Sequence, residues 1–233
     1  MEIFLSIDTW IALLTLTFLE IVLGIDNIIF ISIVAGKLPL HQQRKARLLG
    51  LSLALIVRIL LLFGITWLIG LTQPVIEVYD FSLSWRDIIL MLGGLFLIAK
   101  STSEIHHKVE GDEHATEVKK VTAFGNAIVQ IVLLDIIFSF DSILTAVGLT
   151  NEIKLMIIAV IVSIIVMMIF AKAISNFINK QPTLQVLALS FLILIGFMLI
   201  IEGLHYHVPK GYIYFAVFFS LIVEIINIKV RKK

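Results

Sequence analysis

Seven long apolar runs, at residues 10–35, 48–71, 88–99, 122–149, 153–174, 184–203 and 212–228, leave this chain little conformational choice. A helix needs about 20 apolar residues to cross a bilayer, because there its backbone must satisfy its own hydrogen bonds. The third run is short and reaches that length only by adding residues 84–87 and 100–103 at its ends. The first run follows Glu2 and Asp8 rather than a basic stretch and is too long for a secretory signal. In 233 residues that are 60% hydrophobic and 15% charged, seven spans leave no room for a separate soluble catalytic domain. The fold class is therefore an all-α polytopic membrane protein. A net charge of +1 gives no reason to expect nucleic acid, and the absence of cysteine removes disulfides and thiolate chemistry.

Charge in the connections sets an orientation. Fourteen Lys and Arg residues fall in segments 36–47, 100–120, 172–180 and 229–233, whereas the alternate connections hold only Arg86, Lys154 and Lys210. The positive-inside rule then predicts an outside N-terminus, a cytoplasmic C-terminus and an odd number of spans. The one sizeable polar segment, 101–120, is read as a cytoplasmic loop. It carries Glu104, Glu110, Asp112, Glu113 and Glu117 beside His106, His107 and His114. It reads as a solvated charged loop; a weak metal-collecting patch is the sharper alternative, without specific ligand spacing.

Four acids lie where they are costly. Glu20 and Asp26 are near the middle of the first span, and Asp135 and Asp141 near the middle of the fourth. Each costs about 2.5 kcal/mol or more to insert unless it meets a polar cavity or a partner. One explanation is interhelical bonding to Asn27, Gln130, Ser139 and Ser142. The repetition argues for more. Glu20, Asp26, Asn27 and Ile28 are matched 115 positions later by Asp135, Asp141, Ser142 and Ile143, on a span of opposite direction. This is the pattern of an inverted-topology transporter with its site at the repeat interface. It predicts a first repeat over about 8–103, a second over about 121–204, and an additional helix at 211–229.

Six residues of regular helix separate two side chains by about 9 Å and 120°, so one helix cannot close both of its acids on one ion. Either the helix unwinds between them, at the equivalent positions Gly24 and Ser139, or both repeats contribute ligands. The second is preferred, with some local unwinding, and brings Asp26 toward Asp141 and Glu20 toward Asp135. The predicted metal ligands are Glu20, Asp26, Asn27, Asp135, Asp141 and Ser142. All offer oxygen, and the six histidines fall in loops or at span ends. Such a set suits Mn²⁺, Mg²⁺ or Ca²⁺ and not Cu⁺ or Zn²⁺. Met167 and Met168 read as packing. Arg58, inside the second span, needs a partner and is expected to counter one of the acids in the ion-free state. Glu202 and Glu224 lie near span ends and are second-tier candidates.

The stretches EIVLGIDNIIF (20–30) and DIIFSFDSILTAVGLT (135–150) resemble the TerC family of integral membrane proteins. The similarity runs on through LALSFLILIG (187–196) and VPKGYIYFAVFF (208–219). It looks nearest to the short proteobacterial branch that consists of the membrane domain alone. The family's intramembrane acids match Glu20, Asp26, Asp135 and Asp141. Several members are manganese exporters, so the resemblance implies Mn²⁺ as transported ion, no prosthetic group, and the bacterial inner membrane as location. Proton coupling is expected because clustered acids cannot all stay ionised without a cation. The expected partners are thus a divalent metal ion, protons and the lipid bilayer, with a homo-oligomer or a contact with secretion machinery as further options. Three rival readings share parts of this pattern. A non-transporting partner of secretion or metal-delivery machinery is the alternative. An intramembrane aspartyl protease is remote, since Leu23-Gly24-Ile25-Asp26 lacks the second glycine of GxGD. A retinal-binding photoreceptor fails for want of a lysine in the seventh span. No enzymatic activity is expected.

Overall fold

The computed structural model describes residues 6–78, 81–109, 123–150, 152–206 and 208–231, excluding the side chains of Asp26, Thr66, Glu77, Val78, Phe81, Asp141, Lys210 and Arg231. Eight helices and one hairpin follow in order: α1 (Ile7–Gly36), α2 (Leu40–Phe63), α3 (Ile65–Gly70), β1 (Pro74–Val78), β2 (Phe81–Ser84), α4 (Trp85–Val109), α5 (Phe124–Leu149), α6 (Ile153–Lys180), α7 (Pro182–Gly203) and α8 (Lys210–Arg231). Seven of them, all but α3, are long and apolar enough to cross a membrane. The all-α polytopic fold is therefore as expected.

Local chemistry fixes the ends. Ser6 caps α1 by accepting the Thr9 N–H at 3.2 Å, and Pro182 opens α7 where a missing N–H costs nothing. The second apolar run is broken at Gly64 into α2 and α3. The first part of the expected loop 101–120 is helical, because α4 continues to Val109; Glu110, Asp112, Glu113, His114 and Glu117 lie outside the described residues. The hairpin, paired antiparallel with Ile76 opposite Leu83, was not anticipated.

The chain divides into two compact units, 1–73 with 121–176 and 74–120 with 177–233. The expected repeats, about 8–103 and 121–204, each contribute helices to both units.

In the first unit α1, α2 and α5 pack on one another. Gly24 receives Met167 of α6: a Cβ there would stand 2.5 Å from the Met167 sulfur. Gly50 of α2 likewise lies under Ile131 of α5. Large apolar side chains such as Leu14, Phe18 and Leu60 point outward, as suits a lipid-facing surface.

In the second unit α4 crosses α7 at glycines. A methyl group on Gly94 would run into the Gly196 carbonyl, and one on Gly196 would stand 2.7 Å from the Gly94 carbonyl. Small residues at such crossings let backbones approach where lipid offers no hydrophobic drive. The start of α4 is held by a reciprocal cap. The Asp87 N–H donates to the Ser84 hydroxyl at 3.2 Å, and the Ser84 N–H donates to the Asp87 carboxylate at 2.9 Å. The end of α7 closes with His205 in the left-handed region (φ 67°), its N–H bonding Glu202 and the Tyr206 N–H bonding Ile201. His205 Nε2 then meets Asp87 at 3.0 Å and Arg86 meets Glu202 at 2.7 Å, tying the two helix ends together. α8 packs on α7 and leaves Tyr212, Phe215 and Phe218 exposed.

Candidate functional site

In the first unit α1, α2 and α5 bury one polar cluster. Glu20 and Asn27 come from α1, Arg58 from α2, and Asp135, Ser139 and Ser142 from α5, all 5% exposed or less. Helix periodicity explains the grouping. Glu20, Gly24 and Asn27 stand at i, i+4 and i+7, which is one stripe of a helix, and Asp135, Ser139 and Ser142 form the same stripe on α5. Every member of the second stripe lies 115 positions after its counterpart.

Arg58 organises the cluster. Its Nη1 donates to Glu20 Oε2 at 2.7 Å, and Nη2 and Nε donate to Asp135 Oδ1 at 2.9 and 3.3 Å. The planar guanidinium thus serves two carboxylates from two edges, a geometry that lysine cannot reproduce. Asp135 also accepts from Asn27 Nδ2 at 3.0 Å and from the Ser139 hydroxyl at 3.2 Å. Ser142 donates to the Ser139 carbonyl at 3.3 Å. Asn27 Oδ1 is buried without a hydrogen-bond partner among the described residues. An orphaned acceptor at this depth is costly.

Two sequence expectations change here. The helices do not unwind: α1 and α5 run unbroken past Gly24 and Ser139. Gly24 instead admits Met167, and the Ser139 hydroxyl serves Asp135. Arg58 counters two acids rather than one. Of the six expected ligands, Glu20, Asn27, Asp135 and Ser142 are brought together, whereas the side chains of Asp26 and Asp141 lie outside the described residues. Among the described residues no group of three or more His, Asp or Glu is placed to hold a metal ion. Gln130 bonds Asn126 and takes no part. In α4, Glu104 pairs with Lys100 at 3.4 Å. The pairing of Arg86 with Glu202 and of His205 with Asp87 was missed, although Ser84-x-x-Asp87 is a legible capping pattern.

Seven apolar helices with charged side chains buried among three of them define a polytopic integral membrane protein. The chain belongs to the TerC family, whose model, described as "Integral membrane protein TerC family", matches residues 5–232. It is 53% identical over 226 residues to the UPF0053 inner membrane protein YgdQ of Escherichia coli (strain K12), covering 97% of this chain and 95% of that one. A UPF0053 protein of Haemophilus influenzae is 50% identical with the same coverage. A UPF0053 protein of Buchnera aphidicola subsp. Schizaphis graminum is 51% identical over 228 residues, and there the chain spans 44% of the longer relative. No solved structure matches.

Proposed function

We propose that this protein lies in the bacterial inner membrane and exports a hard divalent cation, Mn²⁺, in exchange for protons. The ligands are Glu20, Asp26, Asn27, Asp135, Asp141 and Ser142, at the interface of two inverted repeats. The observation that supports this is a buried mid-span cluster whose acceptors are all oxygen, one of them, Asn27 Oδ1, without a donor among the described residues. A cation would satisfy that acceptor, and oxygen ligands select a hard one. The choice of Mn²⁺ and the outward direction rest on the resemblance to manganese exporters. Arg58 acts as a tethered cation that neutralises Glu20 and Asp135 until the metal replaces it.

The test is Mn²⁺ uptake into inverted membrane vesicles. Asp26→Asn and Asp141→Asn each abolish uptake and leave the protein inserted at normal level, since removing a carboxylate also removes an insertion cost. Either variant, expressed normally and still protecting cells from excess manganese, would sink the reading. Coupling is checked by imposing a pH gradient, acidic inside. One Mn²⁺ displaces about two protons from such a cluster, so nigericin is expected to stop uptake. Uptake that survives nigericin and fails when the membrane potential is clamped would point to a uniporter.

A second reading has an observation of its own. Asp135 is fully engaged by Arg58, Asn27 and Ser139, as a purely structural staple in a non-transporting membrane partner would be. Under that reading Asp26→Asn and Asp141→Asn both leave Mn²⁺ flux unchanged.

A further inference from the structure

The two buried arginines of α2 differ in one respect. Arg58 has two carboxylates, whereas Arg47, 7% exposed, has only the Ser175 hydroxyl, to which its Nη1 donates at 3.3 Å. No ion pair is formed by Arg47 among the described residues. A buried guanidinium without a counter-ion carries a desolvation cost that an anion would remove. Arg47 lines a cavity of about 280 Å³ between the start of α2 and the C-terminal half of α6, which also takes in Arg44 and Lys172. Neither of these cations has a carboxylate partner among the described residues. Three positive groups therefore converge with no acid among the described residues to balance them. The first turns of α2 add the positive end of a helix dipole.

The rest of the cavity is apolar. Leu48, Leu51, Met168 and Ile169 form it, and Leu48 and Ile169 are 41% and 67% exposed on the surface that faces lipid in a membrane. A soluble anion would gain nothing from that surface. A molecule with a phosphate at one end and a hydrocarbon chain at the other satisfies both halves. We propose that the cavity is a binding site for an anionic phospholipid of the phosphatidylglycerol class. Its phosphate lies on Arg44, Arg47 and Lys172, and one acyl chain runs along Leu48, Met168 and Ile169. By the charge bias of the connections this end lies in the cytoplasmic leaflet, where basic pockets between spans recognise lipid headgroups. The site is separate from the Glu20–Arg58–Asp135 cluster and does not depend on what that cluster carries.

The experiment uses the full chain purified in a mild detergent, with dioleoylphosphatidylglycerol, dioleoylphosphatidylcholine or inorganic phosphate added. Retained lipid is read by native mass spectrometry, and thermal unfolding is followed in parallel. The wild-type chain retains dioleoylphosphatidylglycerol over dioleoylphosphatidylcholine and is stabilised by it. Each cation removed lowers retention roughly fivefold, the equivalent of about 1 kcal/mol per basic residue near anionic headgroups. Arg44→Gln with Lys172→Gln is the primary variant, because both side chains are exposed; Arg47→Gln is the second. Undiminished retention in the double variant would overturn the site. So would equal retention of the two lipids, or stabilisation by inorganic phosphate as large as that by the anionic lipid.

Discussion

Replacing Arg58 with Gln is expected to make the stability of the protein depend on added divalent metal. Removing one partner of a buried ion pair costs about 3–5 kcal/mol, because the charge left behind has neither water nor counter-ion. Here two carboxylates, Glu20 and Asp135, lose their shared guanidinium at 2.7 and 2.9 Å. In metal-free buffer the variant should therefore unfold well below the wild-type temperature. If the cluster is a cation site, Mn²⁺ takes the vacated place. At a hundredfold excess over its dissociation constant it returns about 2.7 kcal/mol. The wild-type protein, already neutralised by Arg58, should respond less. Thermal unfolding of both proteins with and without Mn²⁺ checks this. Adding Glu20→Gln and Asp135→Asn to the variant should restore metal-independent stability. An Arg58→Gln protein indifferent to Mn²⁺ would leave the cluster as a staple only.

Gly94→Val should unfold the second unit. The Gly196 carbonyl and Ile200 Cγ1 occupy the space a side chain would need, the latter 2.8 Å from the new Cβ. A carbonyl on a packed helix cannot rotate away as a flexible side chain can, so α4 and α7 must separate. The cost is about 3 kcal/mol or more, the upper end for overpacking. Gly196→Ala meets the Gly94 carbonyl at 2.7 Å and should behave similarly. Gly125 and Gly148 supply the contrast, since a Cβ at either meets nothing within 4 Å. Alanine there should be neutral or slightly stabilising, as in any exposed helix. Size-exclusion profiles of the four variants after heating in detergent separate the outcomes.

The spans were legible because insertion into lipid imposes one rule on every residue of a run, and composition alone reveals it. The polar cluster was legible in part. Glu20, Asn27, Asp135 and Ser142 stand out as polar groups at membrane depth, and their common offset of 115 marks them as related. The sequence could not show which of them meet. Helix period places Glu20 with Asn27, seven positions on, whereas the repetition drew attention to Asp26, six positions on. Gly24 and Ser139 looked like places for the chain to unwind. Their roles depend on what each meets: Gly24 on Met167 of another helix, and Ser139 on Asp135, one turn back on its own helix. The hairpin of residues 74–84 escaped notice because it is short and sits between spans, although its β-branched and aromatic residues suit a strand.

Arg58 is paired with residues 38 positions before it and 77 positions after it. A growing chain delivers these three groups to the membrane at different times. When α2 enters, Glu20 is already present and Asp135 has yet to be translated. The first hairpin of spans can therefore be lodged with Arg58 matched by Glu20. Asp135 arrives with α5 and finds a guanidinium whose second edge is still unused, together with Asn27 Nδ2 as a donor. The order of residues along the chain thus spares the nascent protein an unmatched arginine in hydrocarbon. It makes the arrival of α5 the event that completes the Arg58 cluster.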